Sequence, residues 1–136
     1  MNFFEQELRK IVRPIDPDAT YVGSACYLRL RETVRAKLQI AAGTVADEYD
    51  RLRIKILNRQ EGDIDILLLR FSDLFGPRRL KPYIWTYDGE TEWYGSPPTE
   101  SDYRALTDSV RNYVDLFRDP EQEQTEANSP QWEQSM

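Results

Sequence analysis

The sequence predicts a single α+β domain, in which a mainly antiparallel sheet of about six strands is flanked by an N-terminal and a C-terminal helix. Apolar residues recur at helical spacing near residue 10 and near residue 110, and several segments between them alternate with the period of two that is typical of strands. A length of 136 residues is usual for one domain. We therefore assign residues 1–118 to the domain and residues 119–136 to a tail.

The first element is a short amphipathic helix over residues 2–12. Asn2 followed by Glu5 three residues later is an N-terminal capping signal, and Pro14 stops the pattern. The apolar residues at helical spacing are Phe4, Leu8, Ile11 and Val12.

Three amphipathic strands are predicted next, over residues 21–31, 34–40 and 52–56, with a turn or a short helical piece over 44–49. The first two strands form a hairpin if residues 31–33 make its loop. Since directly opposed residues share a face, this loop predicts three pairs, namely Leu30 with Val34, Arg29 with Arg35 and Tyr27 with Lys37.

The segment Ile64 to Phe71 is apolar on both faces, which is typical of a central strand covered on both sides. Residues 82–87 and 90–94 flank Asp88-Gly89, a strong signal for a second hairpin. Thr99 and Asp102 then predict the start of the C-terminal helix, and we expect both helices to pack on one sheet face. The apolar stripe of that last helix is Tyr103, Leu106, Val110, Tyr113, Val114 and Phe117.

The net charge of −6 is unevenly distributed along the chain. All 18 Lys and Arg residues lie at or before Arg118, whereas residues 119–136 hold five acids and no cation. Few bulky apolar groups occur there, so we expect the tail to be disordered. Either it keeps the protein soluble, or it is an acidic arm that covers a basic surface or docks on a partner.

A cluster of cations is expected on one face of the first three strands. Opposed like charges destabilise a sheet, so such a cluster favours an anionic partner, which could be phosphate, a carboxylate surface or the protein's own tail. The alternative is a solvated strand face whose long side chains extend into water. This basic face comprises Arg29, Arg31, Arg35, Lys37, Arg51, Arg53 and Lys55.

The second hairpin carries an aromatic face. Ile84 and Trp93 share one side, and the other side combines aromatic with acidic residues, either as cross-strand packing or as an interface for a partner. Negative charge beside the rings repels phosphate, so the functional version of this surface fits a protein better than nucleobases. The expected partner-binding residues are Tyr83, Trp85, Tyr87, Glu90, Glu92 and Tyr94.

Several kinds of site are not expected. The chain has no histidine, which excludes histidine-dependent catalysis and histidine-ligated metals, and Cys26 is an inward-facing strand residue best interpreted as a core thiol. The carboxylates Glu61, Asp63 and Asp65 lack the spacing of a calcium loop and fit a solvated turn. We therefore expect no enzyme activity, cofactor or metal.

No membrane association is expected either, and the cytoplasm is the expected location. The longest uncharged apolar stretch, Ile66 to Leu69, is far shorter than a bilayer span, and the N-terminus lacks the pattern of a secretory signal. A single cysteine cannot form an internal disulfide.

A resemblance adds a biological context. The stretch from ACYLRLRETVRAKLQI through LNRQEGDIDILLLRFSDLFG to PYIWTYDGETEWY resembles small uncharacterised accessory proteins of conjugative and phage-like elements of Gram-positive gut bacteria. That class includes anti-CRISPR and anti-restriction inhibitors and regulators of transfer. The leading hypothesis is a non-enzymatic protein-binding module that inhibits a nucleic-acid-processing enzyme, and the alternative is a nucleic-acid-binding accessory protein that uses the basic face.

Overall fold

The computed structural model describes residues 2–75 and 83–118, and it confirms the α+β class with a helix at each end and antiparallel sheets between them. Eight strands lie within these residues, more than the six or so expected, because two short strands were not anticipated. The elements are α1 (Phe3–Val12), β1 (Thr20–Val22), β2 (Ala25–Arg29), β3 (Val34–Ala41), β4 (Glu48–Tyr49), β5 (Arg51–Asn58), β6 (Gly62–Arg70), α2 (Phe71–Phe75), β7 (Tyr83–Tyr87), β8 (Glu90–Tyr94), α3 (Glu100–Val114) and a final 3₁₀ turn (Asp115–Phe117).

Both long helices begin where the sequence predicts. The Asn2 side chain accepts a hydrogen bond from the Glu5 backbone N–H at 2.7 Å and caps α1. At α3, the Thr99 side chain and the Asp102 side chain each bond the other residue's backbone N–H, which completes a capping box. The two helices are joined by the Thr107 hydroxyl, which donates to the Ile11 carbonyl at 2.7 Å.

A five-stranded antiparallel sheet has the order β1-β2-β3-β5-β6. The predicted hairpin register is confirmed, with Tyr27 opposite Lys37 and Arg29 opposite Arg35. The prediction of one strand over residues 21–31 is wrong, because Gly23 adopts a φ of +61° and the chain turns back there, so that β1 pairs with β2.

The expectation that Ile64 to Phe71 forms the central strand is wrong. Within the described residues β6 is an edge strand paired with β5 alone, and β3 is the middle strand. The apolar residues on its two sides have different environments: Leu67 and Leu69 pack against the core, whereas Ile66 is 51% exposed and Leu68 is 47% exposed. Phe71 already belongs to α2, where it is buried.

A second sheet, of three strands, has the order β4-β7-β8. The hairpin around Asp88-Gly89 is confirmed, and both turn residues have positive φ angles, of 50° and 83°, as a two-residue hairpin loop requires. The interpretation of residues 44–49 as a turn or helical piece is wrong at its end, because Glu48 and Tyr49 pair with Trp85 and Ile84 as a short strand.

One hydrophobic core serves both sheets, and it explains which faces stay outside. Residues of α1 and α3, such as Leu8 and Val110, share this core with Leu38 and Ile54 of the large sheet and with Ile84 of the small one. The helices therefore cover one face of the five-stranded sheet, as expected. Among the described residues, no helix covers the opposite face.

Candidate binding surfaces

The uncovered side of the five-stranded sheet, here called the open face, is strongly cationic. Because strand residues alternate between faces, the buried Leu52, Ile54 and Ile56 leave the intervening residues of β5 on the open face. The registers of the neighbouring strands extend this surface. Its cations are Arg29, Arg35, Lys37, Arg51, Arg53, Lys55 and Arg70.

Three pairs of like charges lie directly opposite each other on this face. Arg29 pairs with Arg35, Lys37 pairs with Lys55, and Arg51 pairs with Arg70. Only the first of these follows from the predicted hairpin register. Directly opposed like charges destabilise a sheet, so the open face is electrostatically favourable for an anion.

Few carboxylates neutralise these cations. The Arg51 Nε lies 2.9 Å from an Asp50 carboxylate oxygen, and the Lys55 Nζ lies 3.7 Å from Asp63. Arg53 donates to the Gln39 amide oxygen at 3.0 Å. Within residues 2–75 and 83–118, five of the seven cations of the open face have no ion-pair partner; they are Arg29, Arg35, Lys37, Arg53 and Arg70.

Two arginines differ from the predicted basic face. Arg31 lies beyond the last residue of β2, in the turn, where its backbone N–H donates to the Val34 carbonyl at 3.1 Å. Its Nε is buried and has no hydrogen-bond partner among the described residues. The predicted basic face omits Arg70, because the sequence predicts a β6 that is covered on both sides. Since Leu69 packs against the core, its strand neighbour Arg70 lies on the open face.

An open groove of about 730 Å³ lies at the β1–β2 end of the open face. Arg29, Arg35 and Tyr27 line one part of it, and Asp16 and Asp18 line another. The two carboxylates lower the positive potential at this end.

The outward side of the three-stranded sheet has the opposite character and is here called the acidic aromatic patch. Its central row places Trp85 between Glu48 on one neighbouring strand and Glu92 on the other. Tyr83 lies opposite Tyr94, and Tyr87 lies opposite Glu90. The structure thus brings together all six residues that were expected to bind a partner, and it adds Glu48.

The aromatic residues of this hairpin divide between packing and exposure, as their alternation predicts. Trp93 faces inward, with its ring centroid 5.9 Å from that of Phe3 and 6.1 Å from that of Phe71. On the patch, the Tyr83 and Tyr94 rings stack at 4.9 Å. Tyr94 is nevertheless 54% exposed and Tyr87 is 64% exposed, while Trp85 is half-buried.

Two carboxylates beside the patch could not be inferred from the hairpin sequence alone. Glu48 reaches it because β4 pairs with β7, and Asp50 follows two residues later. Partial burial raises the pKa of the Tyr83 phenol, and the negative charges of Glu48 and Asp50 raise this pKa further. A cavity of about 230 Å³ lies between these three residues and Phe71.

The remaining candidates have structural roles. Cys26 is fully buried, and burial raises the pKa of its thiol to about 12, which disfavours the reactive thiolate. Glu61, Asp63 and Asp65 are exposed, and the Tyr113 hydroxyl donates to Asp65 at 2.7 Å. The part of the chain that the structure describes contains no group of three or more acidic or cysteine side chains arranged for a metal.

None of the helices in the described ranges has the length and apolar character that crossing a membrane requires. Comparison with known proteins adds no assignment. No family model matches the chain, and no curated protein or solved structure is significantly similar to it.

Proposed function

We propose that the protein is a non-enzymatic binding module whose acidic aromatic patch docks on a cationic protein surface. The observation that carries this proposal is the central row of the three-stranded sheet, where Trp85 is flanked by Glu48 and Glu92. A tryptophan between two carboxylates combines an apolar anchor with charges that select a basic partner.

The composition and exposure of the patch support a protein interface. Tyr and Trp are enriched among residues that dominate binding energies, and Tyr87 and Tyr94 are both more than half exposed. Among the described residues, Glu48, Glu90 and Glu92 have no ion-pair partner, which supports a role for their charges in contact with another protein.

The chemistry of the patch also favours a class of partner. Channels that hold nucleic acid are lined with Lys and Arg, and an acidic surface competes with phosphates for them. We therefore propose that the protein inhibits a nucleic-acid-processing enzyme, in the manner of the anti-CRISPR or anti-restriction inhibitors of mobile elements.

Charge reversal on the patch tests this function. Purified Cas9-type nucleases and restriction endonucleases are mixed with the full-length protein, and binding and DNA cleavage are measured. Glu92→Lys should weaken binding about tenfold or more and restore cleavage, because it places a cation beside Trp85. Glu32→Lys is the matched control, since Glu32 is an exposed carboxylate in the turn between β2 and β3. Equal effects of the two variants, or no inhibition by the unmodified protein, would contradict the proposal.

A second candidate function is favoured by the three like-charge pairs of the open face, which suit direct binding of a nucleic acid. Phosphates would relieve the repulsion between Lys37 and Lys55, and their neutralisation releases counterions. Unlike the patch, this face offers mostly cations and aliphatic side chains, which predicts binding with little sequence preference.

The salt dependence of binding distinguishes this candidate. Affinity for a fluorescein-labelled DNA or RNA strand should fall steeply with salt, and Arg35→Gln with Lys37→Gln should reduce the slope of log K against log salt by about 1–2. Arg104→Gln on the exposed side of α3 is the control and should leave that slope unchanged. Absence of binding to free nucleic acid at physiological salt, both by the full-length protein and by a variant with Asp119→Asn, Glu121→Gln, Glu123→Gln and Glu126→Gln, would exclude the second candidate and leave the first untouched.

A further inference from the structure

We propose that the open face binds the chain's own acidic C-terminal segment, residues 119–136, which lies outside the described residues. This proposal is independent of the acidic aromatic patch and of any partner bound there. It assigns an occupant to a surface that the helices leave uncovered.

Charge complementarity is the first argument. The segment contains five acids and no cation, whereas the open face presents seven cations in a limited area. Five of those cations lack an ion-pair partner among the described residues, and the residues within each of the three opposed like-charge pairs repel each other. A polyanionic segment relieves this repulsion, and it is present at a high effective concentration because it belongs to the same chain.

The position of the last described residues makes the contact reachable. The Tyr113 hydroxyl donates to Asp65 of β6, and this bond places the end of α3 beside the edge of the sheet that adjoins the open face. The described chain ends at Arg118 shortly after this contact. Eighteen extended residues span up to about 60 Å, whereas the three steps from β6 to β2 cover only about 14 Å.

The spacing of the charges also matches. Asp119, Glu121 and Glu123 alternate with uncharged residues, so in an extended chain their carboxylates fall on one side. On β5, Arg51, Arg53 and Lys55 alternate in the same way. Both sets therefore repeat at about 6.6 Å, which allows successive acids to lie near successive cations.

The proposed contact has a functional consequence. Occupation of the open face by residues 119–136 would compete with nucleic acid for the same cations and leave the acidic aromatic patch, on the other sheet, free. Neutralising the tail should therefore strengthen nucleic-acid binding if the open face has that second function, and it should leave partner binding at the patch unchanged.

The experiment places a nitroxide on the tail of the full-length protein through Asn128→Cys. Cys26 is fully buried and its thiol has a raised pKa, so the introduced cysteine is labelled selectively. Loss of amide NMR signal close to the label is then measured at low and high salt. Amides of Lys37, Arg53 and Lys55 report on the open face, and those of Leu8 and Ile11 report on the helix side.

At about 0.01 M salt, the amide signals of the open face should fall below half of their intensities in the reduced, diamagnetic sample. At about 1 M salt these intensities should recover, because charges are screened within about 3 Å. The helix signals should not change. A variant carrying Asp119→Asn, Glu121→Gln, Glu123→Gln and Glu126→Gln should abolish the effect, whereas Gln122→Asn with Gln124→Asn should preserve it.

Three results would overturn the proposal. The first is signal loss that is absent, uniform or centred on the acidic aromatic patch. The second is an effect that persists unchanged in the neutral-tail variant. The third is signal loss when ¹⁵N protein without the nitroxide is mixed with ¹⁴N protein that carries it. Such a loss would show a contact between two copies. None of these outcomes depends on whether the patch binds a partner.

Discussion

The two sheets present outward faces of opposite charge, although each is built by the same alternation against one shared core. On the five-stranded sheet the outward positions hold Arg and Lys beside exposed aliphatic residues such as Ile66 and Leu68. On the three-stranded sheet they hold Tyr, Trp and Glu. The inward positions of both sheets are mostly apolar and contribute to one cluster. The core is therefore shared, and the outward residues determine which charge each sheet presents.

The difference between inward and outward positions is clearest in the β7–β8 hairpin, where Trp93 faces the core and Trp85 lies on the acidic aromatic patch. Trp93→Ala should lower the free energy of unfolding by about 2–3 kcal/mol, because the partly buried Trp93 ring packs against the core and against the rings of Phe3 and Phe71. Trp85→Ala should cost about 1 kcal/mol, since its side chain is half-buried on the acidic aromatic patch.

Chemical denaturation of the two full-length variants measures this difference, and partner binding gives the complementary result. We expect Trp85→Ala to abolish binding at a stability that remains near that of the unmodified protein. Equal losses of stability would mean that both rings are core residues, and the distinction between the two faces would fail.

The buried Cys26 thiol makes a pH-dependent contribution to stability, and comparison with Cys26→Ala separates it from the tyrosines with raised pKa values, such as Tyr83 of the patch. Burial raises the pKa of Cys26 from an ordinary value of 9.0 to about 12. Between these values the unfolded chain releases the proton while the folded chain keeps it, so stability is complete below about pH 9 and falls as pH rises toward 12, by up to about 1.4 kcal/mol per pH unit.

Burial and the Cys26 thiol, which lies opposite Tyr21 in the β1–β2 pair, also raise the pKa of Tyr21 from 10.0 to about 12. Cys26→Ala should therefore reduce the alkaline loss and shift its onset toward pH 10, where tyrosines with raised pKa values, Tyr21 and Tyr83 among them, still contribute. Urea unfolding from pH 7 to pH 11 measures both curves. Identical slopes for the two proteins would show that the thiol is not protected by the core.

The smallest expected effect concerns the like-charge pairs of the open face. Lys37→Glu places a carboxylate opposite Lys55 and should raise stability by about 0.2–1 kcal/mol, while weakening any contact with an anion. Lys37→Gln removes the repulsion without adding an attraction and should give an intermediate value. Thermal unfolding at low salt distinguishes the three proteins, and a loss of stability in Lys37→Glu would indicate that the opposed lysines do not repel.

Much of this architecture was predictable because it depends on local signals. The capping residues Asn2 and Thr99 start the two long helices, and the pair Asp88-Gly89 closes the second hairpin. The register of the first hairpin followed from loop length and alternation, and it placed Arg29 opposite Arg35. These features depend on hydrogen bonds and backbone angles within a few residues of each other.

The composition of the candidate surfaces was only partly predictable. Six residues of the acidic aromatic patch follow from the hairpin, but Glu48 joins them only because a two-residue strand from a distant segment pairs with β7. Arg70 joins the open face because β6 lies at the sheet edge, a position that an apolar segment does not reveal. In both cases the missing information is which strands are neighbours.

The starts of the two long helices, the turn at Asp88-Gly89 and the alternation that separates inward from outward residues follow from the sequence alone, since each depends on short-range geometry. The tertiary structure decided that the helices lie on one side of the five-stranded sheet, that β6 is its edge among the described residues, and that the Lys37–Lys55 and Arg51–Arg70 pairs come together. Those outcomes depend on contacts between distant segments, whose energies result from burying the shared core and are not encoded in any single local pattern.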